Sequence, residues 1–177
     1  GGPSVMQTVG AMYLYRGSIL EVNNAEFGLV MSNGTLSIQL DQGEGPAEII
    51  GNLKVTGGDI FSGANTVSET HLFGTLKVEG NVTWTGGTYR PYINAEASWE
   101  SDLWYATGTF TISSPATLVP LAVDRENNIV TPPEDMHWSI LQADAGFPNN
   151  APTFNGALWI MDQFGNNPQT RWDLRSK

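Results

Sequence analysis

Cysteine is absent from this 177-residue chain. That excludes a disulfide scaffold, a thiolate metal site and a cysteine nucleophile together. Basic residues are scarce: eight Lys and Arg stand against eighteen Asp and Glu, giving a net charge of −10 and a pI near 4.4. Three of those eight (Arg171, Arg175 and Lys177) crowd the C-terminal end, so the remainder is more acidic still. A surface of that sign repels phosphate, which argues against nucleic acid as a partner and against an anionic membrane surface. It suits a chain kept soluble outside the cell. No run approaches the ~20 apolar residues of a membrane-spanning helix. The strongest apolar stretches, Leu118–Val123 and Ala157–Met161, have the length of core strands. No signal peptide is present, and the Gly1-Gly2-Pro3 start reads as an artificial boundary; the natural chain is expected to be longer at both ends.

Helical periodicity is also missing, with no apolar stripe at i, i+3, i+4, i+7. Short alternating segments between Gly and Asn turns take its place, and these are strand signals. Five share the form Gly-polar-apolar-polar-apolar: Gly34–Ile38, Gly51–Val55, Gly74–Val78, Gly80–Trp84 and Gly108–Ile112. Gly17–Val22 is a sixth copy with one residue inserted. The glycines at 17, 34, 51 and 74 are spaced by 17, 17 and 23 residues. A longer echo has an offset of 29: Leu53–Ile60 reappears as Val82–Tyr89 with its apolar positions and both glycines kept.

A unit with two or three inward side chains cannot bury them alone, whereas stacked units share one continuous core. The expected fold is therefore all-β, a parallel β-helix or solenoid; an antiparallel β-sandwich is the alternative. Glycine before each strand permits the tight corner that such a coil needs. If the repeats stack by their glycines, Leu53 should lie against Leu76 and Val55 near Val78. Trp84 should point inward, while Lys54, Lys77, Thr83 and Thr111 face solvent.

From about Trp99 the segments lengthen and prolines accumulate at 115, 120, 132, 133, 148, 152 and 168. Prolines belong at corners, edges and loops, so Asp124–Asp135 and Gly146–Pro152 read as loops. Residues 1–98 are assigned to the repeats and 99–177 to their continuation and a C-terminal β cap, in one structural unit. Residues 138–174 carry Trp138, Phe154, Trp159, Phe164 and Trp172, expected to be mostly buried beneath that cap, with Ala157–Met161 as a buried strand.

Residues 74–154 also hold a graded series of motifs. Gly74–Tyr89 is followed by Tyr92-Ile93, Ser101-Asp102-Leu103, Gly108–Ile112, Ala116–Val119, Trp138–Ala143, Gly146 and Phe154. In that order they resemble the C-terminal end of bacterial autotransporter passengers and related secreted proteins. The resemblance implies a right-handed parallel β-helix with a sandwich-like end, displayed outside the bacterial cell. Two departures stand out: the family's membrane barrel does not follow, and Pro120 interrupts the strand after Leu118. The family shares no catalytic residues, so none is transferred.

No constellation of residues points to catalysis, a cofactor or a metal. His71 and His137 have no histidine partner at ligand spacing, and there is no Gly-x-Ser-x-Gly elbow. Two acid groups, Asp41/Glu44/Glu48 and Glu96/Glu100/Asp102, do not recur between repeats as paired catalytic carboxylates would. Neither contains a calcium-loop motif. The resemblance implies a plainer role for Asp102, at the corner just before a strand. Asn33-Gly-Thr35 and Asn81-Val-Thr83 match the glycosylation sequon, but asparagine at a turn suffices to explain both. The functional expectation is a non-catalytic, adhesin-like surface scaffold whose partners are extracellular glycan or protein. The alternative is a carbohydrate-binding or carbohydrate-active β-helix, for which aromatic side chains would stack on sugar rings.

Overall fold

The computed structural model describes residues 6–7, 10–22, 28–40, 43–64, 73–148, 151–165 and 169–177. Seventeen strands and no helix occur among these residues. The first six are β1 (Met6–Gln7), β2 (Ala11–Tyr15), β3 (Ile19–Glu21), β4 (Leu29–Met31), β5 (Thr35–Gln39) and β6 (Ala47–Ile50). Then come β7 (Leu53–Ile60), β8 (Thr75–Glu79), β9 (Val82–Tyr89), β10 (Tyr92–Asn94), β11 (Leu103–Ala106) and β12 (Phe110–Ile112). The last five are β13 (Thr117–Leu118), β14 (Leu121–Val123), β15 (His137–Ala143), β16 (Trp159–Phe164) and β17 (Arg171–Ser176).

Strand pairing is parallel everywhere among the described residues except at the end, where β17 runs antiparallel to both β15 and β16. An antiparallel sandwich is thereby set aside. One sheet of eight strands contains β1, β4, β7, β9 and β12, with β2, β5 and β13 joined to the far halves of β7 and β9. A second sheet has the order β16-β17-β15-β11-β8-β6-β3, and β10 pairs with β14 alone.

The register places like on like. Leu29, Leu53, Val82 and Phe110 follow one another across the first sheet, as do Met31, Val55, Trp84 and Ile112. Ala47, Leu76, Trp104 and Leu141 do the same across the second. All these side chains are buried in one core shared by the two large sheets. Each large one contributes about 1.5–3 kcal/mol by leaving water. The ladders locate the repeat correctly at the offset of 29, since Leu53 pairs with Val82 and Ile60 with Tyr89. The pairing expected from the glycine spacing is overturned: Leu53 and Leu76 belong to different sheets, so Leu53 is not stacked on Leu76, nor Val55 on Val78. Glycines 17, 34, 51 and 74 precede β3, β5, β7 and β8, which are not equivalent positions.

Two features make the corners repeat. At one, Asn52 Oδ1 accepts a hydrogen bond from Asn81 N at 2.9 Å, and Asn81 Oδ1 accepts one from Thr109 N at 2.9 Å. Asn81 is thus a structural link between layers. At the other, Gly34, Gly58 and Gly87 all have positive φ, near +84°, +85° and +80°. A Cβ on Gly87 would lie 2.5 Å from the carbonyl oxygen of Gly58, so only glycine lets the layers close up there. Gly58 and Gly87 allow the eight-residue strands β7 and β9 to bend, so that besides each other β7 pairs with β4 and β5 and β9 with β12 and β13.

Pro120 sits between β13 and β14, at a break where it costs no ladder bond. Lys54 is exposed and Thr83, Thr111 and Lys77 are half-buried on the outward side, as alternation requires. The C-terminal aromatics divide. Trp138, Trp159 and Trp172 are buried, Phe154 packs partly against the core, and Phe164 is exposed. Ala157 and Leu158 lie in an exposed turn, so the buried strand expected over 157–161 begins only at Trp159.

Candidate functional site

Among the described residues, no three His, Cys, Asp or Glu side chains gather as metal ligands. The acid groups do not converge. Glu96 and Glu100 are exposed, Glu100 accepting from Asn94 Nδ2 at 2.7 Å, while Asp102 is buried. Glu48 pairs with Lys77 at 2.9 Å on the outer face of the second sheet, Glu44 is exposed elsewhere, and Asp41 lies outside the described residues. Lys77 also meets Glu79 at 2.7 Å, and these two acids hold its ammonium above the ordinary lysine value. His71 lies outside the described residues as well.

Asp102 is the most perturbed carboxyl group. It sits one residue before β11, and its two oxygens accept hydrogen bonds from Gly74 N at 2.8 Å and Tyr92 N at 2.9 Å. It therefore ties the starts of β8 and β10 to the corner before β11. Burial pushes its pKa from 3.8 up to about 7, against the pull of the two amide donors. Nearby Tyr89, with Ser62 Oγ at 2.6 Å and Ile140 O at 3.2 Å, is pushed well above its ordinary value, chiefly by burial. Its two amide bonds give Asp102 an architectural role at this corner.

The outer surface near the cap is different. Three residues before Asp102, Trp99 is 58% exposed and adopts φ +72°. Its backbone N donates to His137 O at 2.7 Å, and His137 N donates to Ser98 Oγ at 3.3 Å. The Trp99 and His137 rings lie nearly parallel, at 16°, with centroids 5.7 Å apart. The Arg171 guanidinium carbon is 6.0 Å from the Trp99 ring centre and 4.8 Å from that of Phe164. Arg171 Nε forms an ion pair with Asp173 Oδ1 at 2.9 Å without hydrogen-bond alignment, and that oxygen accepts from Ser139 Oγ at 2.7 Å. Asp173 itself is fully buried, and its Oδ2 has no hydrogen-bond partner.

Sequence reasoning did not single out Trp99. The signal was there: Ser101 follows it at the second position, where Trp104, Trp138, Trp159 and Trp172 each have an apolar residue. His137 and Arg171 reach it from distant β15 and β17, which no local pattern could supply. No family model matches this chain, and no curated protein matches it either.

Proposed function

We propose that this chain is a non-catalytic display or adhesive module of the bacterial cell surface, built as a right-handed parallel β-helix with a β cap. One observation carries the reading: successive layers repeat the same inward ladder, Leu29-Leu53-Val82-Phe110, which builds a continuous core. The outward face is built for solvent. Lys54, Thr83 and Thr111 are in register, and Lys77 sits between Glu48 and Glu79. A stack of this kind fixes the distance between its two ends, because each layer is bonded along its whole length to the next. The order of motifs over 74–154 supports placing it with autotransporter passengers and related secreted proteins. The strong negative charge supports an extracellular setting.

The test is accessibility on living cells. Antibody raised against the chain should label intact cells of the source organism, and external protease should abolish the label. Labelling that requires permeabilised cells would exclude surface display. Release of reducing sugar from a polysaccharide by the purified protein would exclude the non-catalytic part.

A further inference from the structure

Of the six tryptophans, Trp84, Trp104 and Trp138 are fully buried and Trp159 and Trp172 nearly so. Trp99 alone presents its ring to water. Two preferences oppose this arrangement. A large indole gains free energy by burial, and a bulky residue at positive φ crowds its own backbone. Glycine would sit at φ +72° without strain. The backbone is held there by the reciprocal bonds between residues 98–99 and His137. The result is an exposed indole backed on one side by the nearly parallel, offset-stacked His137 imidazole.

The rim of this surface is polar but balanced in charge. Arg171 is countered by Asp173, and Arg175 by Asp135 at 3.2 Å and Asp162 at 3.0 Å. No cationic excess remains to recruit an acidic ligand to a molecule of net charge −10. A pyranose ring fits instead: its axial C–H bonds carry slight positive charge and meet the electron-rich indole face, while its hydroxyl groups accept from a guanidinium. We propose that Trp99, His137 and Arg171 form a binding subsite for a neutral glycan on the outer face of the cap. Trp99 supplies the stacking surface, His137 braces it from behind, and Arg171 hydrogen-bonds a ring hydroxyl. Asp173 and Phe164 position the guanidinium. This goes beyond the scaffold reading and does not rest on it.

Native gels containing soluble mixed-linkage β-glucan, xylan, galactomannan or pullulan test the proposal, with polygalacturonate and alginate as acidic counterparts. At least one neutral polysaccharide should retard the protein. Trp99→Gly should weaken that retardation tenfold or more while leaving the melting temperature unchanged or raised, because it removes the ring and relieves the backbone. Trp99→Phe should retain part of the retardation. Four outcomes overturn the proposal: no retardation in any neutral gel, retardation confined to the acidic gels, retardation indifferent to Trp99→Gly, or a Trp99→Gly protein that melts several degrees lower. The last would make the ring a packing element.

Discussion

Raising the pH from 5 to 8 should weaken this protein through Asp102. The carboxyl group is fully buried and its pKa in the folded state is about 7, against 3.8 when exposed. Between those values the folded chain holds a proton that the unfolded chain has released. Stability from this group is thus present in acid and is lost as the pH rises toward 7. Each unit of pKa displacement is worth 1.36 kcal/mol, so the two units between pH 5 and 7 amount to roughly 3 kcal/mol. Full burial removes the solvent screening that would shrink such a figure at a surface site.

Asp102→Asn isolates the effect. Asparagine keeps one acceptor for Gly74 N or Tyr92 N and turns its amide donor toward the other, a pH-independent cost of about 1–3 kcal/mol. The wild-type chain should therefore be the more stable at pH 5, with the advantage shrinking or reversing by pH 8. Urea unfolding followed by tryptophan emission at pH 5, 6, 7 and 8 measures this and avoids the isoelectric point near 4.4. A stability difference that stays constant would refute the reasoning. A wild-type advantage that grows with pH would show that the two amide donors outweigh burial and hold the carboxylate charged.

Leu76 is fully buried beside the small side chain of Ala47, so Leu76→Ala should leave a cavity and cost about 2–5 kcal/mol in urea unfolding. Lys77→Ala, on the outer face of the same strand, should cost less than about 1 kcal/mol despite its two ion pairs, and equal effects would refute the facing of β8. Gly87→Ala forces a Cβ to 2.5 Å from Gly58 O at φ +80° and should cost more than about 3 kcal/mol. Gly156→Ala, with open space around it, should stay within about 0.5 kcal/mol. Deleting 157–177 removes β16 and β17, exposes the edge of β15 with Trp138, and should convert the protein to aggregates in size-exclusion chromatography. A soluble monomeric deletion variant with unchanged melting would deny these strands their capping role.

The all-β character was legible because alternation and glycine corners are local signals. So was one true register. Leu53–Ile60 and Val82–Tyr89 pair at both ends with the offset of 29, with an irregularity around Thr56, because they occupy equivalent places in adjacent strands. The glycine spacing misled because a coil has several corners, each of which favours glycine for the same steric reason. Gly34, Gly51 and Gly74 stand at different ones. The corner role of Asp102 was implied by the resemblance of the motifs around it. Its two amide partners were not, since Gly74 and Tyr92 come close only once the layers stack. The cluster around Trp99 was illegible for the same reason, being assembled from a corner, the start of β15 and the start of β17.

The cap joins the two readings of this molecule. Parallel stacking has no intrinsic end, because each layer offers the next the same backbone edge that it received. Here the addition stops when β17 reverses direction against β15, with an irregularity between Ser139 and Leu141. Behind it, β16 carries Asp162 at the edge, paired with Arg175, which puts charge where another strand would otherwise add. The reversal also sets Arg171 at the open start of β17, opposite Gln142, and Asp173 opposite Ser139, which anchors the guanidinium. A strand continuing the parallel register would run these residues the other way and carry Arg171 away from its present place near Trp99. The chain reversal that terminates the stack thus brings Arg171 to the one exposed tryptophan. The candidate ligand surface is therefore built by the same strands that end the parallel pairing.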